Sequence, residues 1–174
     1  METNAENMSR PRIEVPWGAW DWVLELVGLA GLVMLLVVPA FYYQQLPESI
    51  PVHFNFQGQP DSFGPRETIW ILPTIGTVLF LLMSIANQSP HTFNYTVKID
   101  ERNAEVEYAM ATRMMRLIKA LIVVVFVYLD WTSIQIALGE STGLYWWFAP
   151  AFLLALFGTV GFFVLRSRRR FLSK

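Results

Sequence analysis

The chain has 174 residues, of which 54% are hydrophobic and only 16% are charged, with a formal net charge of −1 and no cysteine. Soluble domains carry about 25% charged residues, and a chain of this length needs many polar side chains to cover its surface. The composition argues against a soluble enzyme, and the lack of a basic excess argues against a nucleic-acid-binding protein. The absence of cysteine excludes disulfides, thiolate metal sites and cysteine nucleophiles. We therefore predict an integral membrane protein.

Four segments have the length and apolar character of membrane-spanning helices, since about 20 mostly apolar residues cross about 30 Å of hydrocarbon. They lie at about residues 23–41, 69–86, 120–138 and 144–165. Each is longer than the apolar core of a signal peptide, so we expect four retained spans and no cleaved leader. The chain then divides into an N-terminal segment, a module with the first two spans, an inner segment, the last two spans and a basic tail, at 1–22, 23–88, 89–119, 120–165 and 166–174.

Lysine and arginine are distributed unevenly around these spans. Twelve of the 13 lie before the first span, between the second and third spans, or after the fourth span, and the exception is Arg66. By the positive-inside rule, both termini and residues 87–119 face the cytoplasm. The loops at 44–68 and 139–143 then face outward.

The outward loop at 44–68 has the period-two pattern of a β-strand followed by a turn. Three apolar side chains alternate with three polar ones: Val52, Phe54 and Phe56 with His53, Asn55 and Gln57. We expect the apolar set to lie against the bundle or lipid and the polar set to project from the other face. Gly58 and Pro60 favour a chain reversal, which brings Asp61 close to His53.

The same loop carries a familiar motif, Pro47-x-x-Ile50-Pro51-x-His53-x-Asn55-x-x-Gly58-x-x-Asp61. It resembles the outer-loop signature of a bacterial membrane-protein module of unknown function, which forms the N-terminal part of SdpI-like immunity proteins. The resemblance covers about residues 20–88. It implies a multi-span protein of the bacterial cytoplasmic membrane, with immunity to a secreted peptide or signalling to a cytoplasmic repressor as roles. SdpI-like proteins carry a further multi-span region, which the third and fourth spans do not match.

The inner segment at 89–119 changes its periodicity part-way along. Apolar residues at 93, 95, 97 and 99 predict a strand-like stretch, and a helical pattern begins at Ala104. Arg113, Arg116 and Lys119 recur every three residues beside the apolar face of this helix. We expect an interfacial helix that runs into the third span and holds anionic lipid headgroups with these side chains. Docking of a cytoplasmic protein on this segment is the alternative.

Two acidic residues interrupt the predicted spans, where ionisable groups are usually paired or functional. Glu25 lies near the cytoplasmic end of the first span, where it can reach the interface. Asp130 lies about ten residues into the third span. It either makes a structural hydrogen bond to another span or lies in one polar cavity below the loop, together with His53, Asn55, Asp61 and Arg66.

We therefore predict an all-α membrane protein: a four-helix bundle with a short β-like outer loop and a cytoplasmic interfacial helix. The leading functional hypothesis is a non-enzymatic protein that binds an extracellular peptide or signals to a cytoplasmic regulator, with no cofactor and with membrane lipids as further partners. His53, Asn55, Gly58, Asp61 and Arg66 are the candidate loop-fixing or ligand-binding residues. The alternatives are a small transporter or channel subunit using Asp130, and a metalloprotein using His53 and Asp61. The sequence leaves the oligomeric state open.

Overall fold

The computed structural model describes residues 10–172, with side chains described up to residue 170. Two parts of the predicted organisation extend past this range. The first nine residues of the predicted N-terminal segment and Lys174 of the basic tail lie outside the described residues.

Four helices within residues 10–172 are long and apolar enough to cross a membrane. They are α1 (Ala19–Tyr42), α2 (Ile71–Ala86) together with the 3-10 helix that precedes it, α3 (Ala104–Ala137) and α4 (Phe148–Leu172). Short 3-10 helices follow α1 at Tyr43–Gln45, precede α2 at Arg66–Trp70, and lie at Pro90–Thr92. The prediction of four spans in a mostly helical membrane protein is confirmed.

The third helix is much longer than a single span requires. Its 34 residues correspond to about 51 Å at 1.5 Å per residue, against a hydrocarbon thickness of about 30 Å. The predicted interfacial helix and third span are therefore one uninterrupted helix. α3 also lies at the centre of the bundle, where it contacts α1, α2, α4 and β1.

Close packing of α1 on α3 depends on the absence of a Cβ atom at Gly31. A Cβ atom placed on Gly31 would lie 2.9 Å from Cγ1 of Val123 in α3, which is closer than carbon atoms pack. The two helices run in the same direction along this contact, because each begins at the same end of the bundle. We call this end, which holds residues 87–103, the charged end, and the opposite end the hairpin end.

A two-stranded antiparallel hairpin covers the hairpin end, formed by β1 (Ser49–Phe54) and β2 (Pro60–Pro65). Ile50 anchors it by packing, almost fully buried, with Leu46, Ile69 and Ile134. Val52, Phe54 and Phe56 do not pack together on the bundle, because Phe56 is fully exposed and Val52 is 44% exposed. The alternative, that this apolar set lies against lipid, stays a prediction. Register shifts between residues 51 and 54 interrupt the period-two alternation.

The strand-like stretch predicted over residues 93–99 does not form. This segment is irregular in the structure and pairs with no strand among the described residues. The guanidinium of Arg10 instead donates hydrogen bonds to the backbone carbonyls of His91 and Phe93, at 3.2 and 2.7 Å. Tyr95 donates its hydroxyl to the carbonyl of Pro90 at 2.8 Å, and burial raises the pKa of that hydroxyl well above its usual range. Side chains thus satisfy backbone groups that a partner strand would otherwise pair.

Candidate ligand-binding site beneath the hairpin

His53 and Asp61 lie side by side on the hairpin. β1 and β2 pair so that His53 is opposite Ser62, which places the neighbouring Asp61 carboxylate beside the imidazole. Nδ1 of His53 lies 2.6 Å from Oδ1 of Asp61, within hydrogen-bonding distance. The His53 side chain is nevertheless 68% exposed. The imidazole is therefore held in position while much of its surface remains accessible to a ligand.

The hairpin turn is fixed by Asn55 and Gly58. Oδ1 of Asn55 accepts hydrogen bonds from the backbone N–H groups of Gln57 and Gln59, both at 3.0 Å. Gly58 has a φ of 79°, a left-handed conformation that favours glycine. Its carbonyl accepts a hydrogen bond from the backbone N–H of Leu144 at 2.7 Å. These contacts tie the turn to the loop between α3 and α4, so Asn55 and Gly58 act in the structure as loop-fixing residues.

Arg66 lies away from His53. Its guanidinium lies over the ring of Tyr43, 5.2 Å from the centroid, and its Nε is 3.7 Å from Oε1 of Glu67. The backbone N–H of Arg66 donates to the carbonyl of Glu48 at 3.0 Å. Arg66 therefore stabilises the entry into α2.

Two cavities adjoin His53 instead of the one polar cavity predicted from the sequence. The first, of about 420 Å³, is lined by Asn55 and Asp61 of the hairpin and by aromatic residues at the beginning of α4. The second, of about 350 Å³, lies beneath β1 and is lined by Asp130. His53, Phe54 and Leu144 line both, and Arg66 lines neither. The predicted set is divided because the loop between α3 and α4 packs against the hairpin turn.

Asp130 is buried without a full set of partners. Its residue exposure is 3%, and its Oδ2 atom has no hydrogen-bond partner among the residues that the structure describes. A buried polar atom left unpaired costs about 1–3 kcal/mol, and more when it is charged. The predicted structural hydrogen bond to another span is therefore not formed by this oxygen. The Asp130 carboxyl therefore lines the cavity beneath β1 with one buried oxygen that has no hydrogen-bond partner among the described residues.

Few side chains that could bind a metal ion lie at this site. Among residues 10–172, no group of three His, Cys, Asp or Glu side chains converges. His53 and Asp61 would supply only two ligands, whereas a zinc site takes three or four from the protein.

Two of the three residues of the predicted basic stripe do not face lipid, whereas the Arg113 side chain is 39% exposed. Arg116 and Lys119 are almost fully buried, with Lys119 only 2% exposed. Nζ of Lys119 lies 2.5 Å from Oε1 of Glu25 and 2.7 Å from Oγ of Ser84. The prediction failed because α1 packs over this face of α3 and supplies carboxylates to it. Glu25 is consequently an ion-pair partner and does not simply reach the interface.

Asp21 is the residue that the sequence analysis missed in this cluster. It accepts two hydrogen bonds from Arg113, at 3.1 and 2.8 Å, and one from Arg116 at 3.2 Å. It also accepts the backbone N–H of Gly18 at 2.9 Å, which closes the first turn of α1. The spacing of charged residues in the sequence could have indicated this cluster. Acids four residues apart, at 21 and 25, lie on one face of α1, and bases three residues apart, at 113, 116 and 119, lie on one face of α3. We call these five side chains the ion-pair cluster.

The hairpin also carries the similarity to known proteins. Residues 30–77 match the family model of a domain of unknown function, DUF1648. An uncharacterized protein from Archaeoglobus fulgidus is 40% identical over 52 residues, which is 30% of this chain and 28% of that protein. The match therefore spans less than a third of the relative's length. No solved structure matches this chain.

The DUF1648 segment begins within α1, includes the whole hairpin and ends within α2. It contains His53, Asn55, Gly58, Asp61 and Arg66. Asp130 and the basic members of the ion-pair cluster lie on α3, outside this segment. The cavity beneath β1 is thus built jointly by the DUF1648 segment and by α3, together with Leu144 from the loop that follows α3.

Proposed function

We propose that this protein is a non-enzymatic, multi-span membrane protein that binds an extracellular peptide at its hairpin end. The observation that carries the proposal is the state of His53: its imidazole is oriented by Asp61 at 2.6 Å, yet it is 68% exposed and lines two cavities. Binding sites commonly combine such preorganised polar groups with apolar and aromatic walls.

The surroundings of His53 favour a peptide over a small ion. Aromatic side chains near it are largely exposed: Phe56, Phe63, Tyr145 and Trp146. Exposed aromatic rings are typical of protein and peptide contacts. Among the described residues β2 pairs with β1 alone, so its other edge has no partner strand there and could pair with an extended segment. The two cavities, of about 420 and 350 Å³, are of the size that accepts individual side chains.

The proposed orientation places the hairpin outside a bacterial cytoplasmic membrane and both termini in the cytoplasm. Its support is the distribution of basic residues, of which only Arg66 lies at the hairpin end. Immunity to a secreted toxic peptide, or signalling of its presence to a cytoplasmic regulator, are the roles that we attach to this binding. They rest on the resemblance of the hairpin motif to SdpI-like proteins.

The binding proposal can be tested by selecting displayed random peptides on the full chain reconstituted in nanodiscs. We expect enrichment over empty nanodiscs, and at least tenfold weaker binding of the selected peptides to the His53→Ala variant. The matched control is His91→Ala, since His91 lies at the charged end and accepts the hydrogen bond from Arg10 through its backbone carbonyl. An absence of enriched peptides, or equal affinity for wild type and His53→Ala, would contradict the proposal.

The immunity role needs a separate experiment in cells. Bacteria producing wild-type protein should survive a secreted antimicrobial peptide better than bacteria producing equal amounts of His53→Ala. Equal survival of the two strains would reject the immunity role. Peptide binding would still be decided by the nanodisc experiment.

Transport through Asp130 is the second candidate, favoured by its unpaired buried oxygen. Against it, the cavity lined by Asp130 shares no lining residue with the polar cavity of about 540 Å³ at the charged end. Lys119, which lines the latter, is 11 positions from Asp130, or about 16 Å along α3. Ion flux in proteoliposomes that is lost in Asp130→Asn would favour transport over binding.

A further inference from the structure

We propose that the cavity beneath β1 binds a primary ammonium group of the ligand, with Asp130 as its carboxylate partner. This inference deepens the peptide-binding proposal, on which it rests: the peptide would carry a lysine side chain that enters the cavity. The argument depends on Asp130, on the other polar groups of the cavity, and on the shape of its walls.

Asp130 presents an unpaired oxygen in an enclosed setting. The residue is 3% exposed, and Oδ2 has no hydrogen-bond partner within residues 10–172. No lysine or arginine is among the residues that line this cavity. A cation supplied by the ligand would pair with the Asp130 carboxylate, and hydrogen bonds to charged groups are stronger than neutral ones.

The remaining polar groups suit an ammonium. Thr68 and Ser133 also line the cavity. The Thr68 hydroxyl donates its hydrogen to the carbonyl of Pro65 at 2.6 Å, so its oxygen can still accept a hydrogen bond from the ligand. An ammonium has three donors and no acceptor. It therefore matches a cavity lined by one carboxyl group and two hydroxyl groups.

The walls of the cavity suit the stem of a lysine side chain. Most of the other lining residues are aliphatic: Ile50, Val52, Ile69, Leu72, Leu129 and Leu144. Lysine buries its methylene stem against apolar surface while its charged head seeks a polar partner. The volume of about 350 Å³ is near the lower limit of ligand pockets, about 300–1,000 Å³. It fits one long side chain better than a folded segment.

Ammonium is favoured over guanidinium by the geometry of the acceptor. A guanidinium binds best when both carboxylate oxygens accept two parallel hydrogen bonds. Because Oδ2 of Asp130 is buried, a guanidinium would not reach both carboxylate oxygens at once. A compact point charge with rotatable donors matches a single oxygen.

The experiment uses three probes on the full chain in nanodiscs: N-acetyl-lysine N-methylamide and its norleucine and arginine counterparts. Affinity is measured from the rise in unfolding temperature with probe concentration. We expect the lysine probe to bind at least tenfold more tightly than the norleucine probe. We also expect the Asp130→Asn variant to lose at least tenfold of the affinity for the lysine probe.

The matched control is Glu140→Gln, which removes an exposed carboxylate at the same end of the bundle and should bind the lysine probe like wild type. The comparison of probes on wild-type protein needs no variant, so it holds even if Asp130→Asn fails to fold. Equal binding of the lysine and norleucine probes, tighter binding of the arginine probe, or equal affinity of wild type and Asp130→Asn would each overturn the assignment. Selected peptides that bind without a lysine would reject this inference but leave the proposed function standing. Binding of the lysine probe without enrichment of any displayed peptide would support the ammonium site and reject the proposed peptide-binding function.

Discussion

Asp21 and Asp130 are two aspartates with the same burial and opposite surroundings. Each is 3% exposed, and each lies on a helix that is long and apolar enough to span a membrane. Asp21 accepts hydrogen bonds from Arg113, Arg116 and a backbone N–H. Oδ2 of Asp130 accepts none from the part of the chain that the structure describes. The pairing of a buried acid, more than its depth, thus separates a structural residue from a candidate ligand contact.

The contrast extends to the two ends of the bundle. At the charged end, α1 supplies both carboxylates and α3 supplies the three bases of the ion-pair cluster, and α3 is further tied to α4 by the Glu107–Ser167 hydrogen bond of 2.6 Å. At the hairpin end, the polar side chains of His53 and Asp61 pair with each other and still face cavities. We infer that the charged end holds the helices together and that the hairpin end is free to bind.

The largest expected effect follows from removing the charge of Asp21. In Asp21→Asn, Arg113 and the buried Arg116 each lose a charged partner, while Arg116 keeps Glu25 at 3.7 Å. Breaking a buried ion pair costs about 3–5 kcal/mol, so the free energy of unfolding in detergent should fall by about that amount. Glu140→Gln provides the control and should leave it unchanged. An unchanged free energy of unfolding in Asp21→Asn would show that the ion-pair cluster is not structural.

A smaller loss is expected where α1 and α3 approach most closely. In Gly31→Ala, the added Cβ would lie 2.9 Å from Cγ1 of Val123, so the helices must move apart. Overpacking of this kind costs about 1–3 kcal/mol. Gly158→Ala is the matched control, because nothing lies within 4 Å of a Cβ at that position. Equal unfolding free energies for the two variants would contradict the described packing of α1 on α3.

The smallest effect on stability is expected at Asp130. Asp130→Asn replaces a buried carboxyl whose Oδ2 has no partner in residues 10–172, so the free energy of unfolding should stay the same or increase. The change in the free energy of unfolding should be compared with that of Asp21→Asn, measured in the same denaturation experiment. A loss of about 3 kcal/mol or more, the size expected for a broken buried pair, would place Asp130 among the structural residues.

Local patterns were sufficient to predict the spans and the His53–Asp61 contact. Both depend on short stretches of chain. The spans are apolar runs of about 20 residues, and the turn at Gly58 brings together His53 and Asp61, which are eight positions apart. The strand predicted over residues 93–99 does not form, although half-buried or buried residues alternate with exposed ones along it as expected. A strand also needs a partner strand, and here the Arg10 guanidinium donates hydrogen bonds to two backbone carbonyls near the beginning of this segment.

Contacts between distant segments were not predictable in the same way. The basic stripe on α3 has the same sequence pattern whether it faces lipid or α1, so only the packing of the helices decides between the two. The division of the expected cavity likewise depends on the hydrogen bond from Leu144 to Gly58, which joins residues 86 positions apart.

The central claim, that the hairpin end is the outward, ligand-binding end, is tested most directly by labelling of single cysteines in intact cells. The natural chain has no cysteine, so one cysteine at a time can be introduced at Gln57, in the hairpin turn, or at Arg102, at the charged end. Both positions are exposed. We predict that a membrane-impermeant maleimide labels Gln57→Cys in intact cells and labels Arg102→Cys only after the membrane is permeabilised. Labelling of Arg102→Cys in intact cells, with Gln57→Cys protected, would contradict the account.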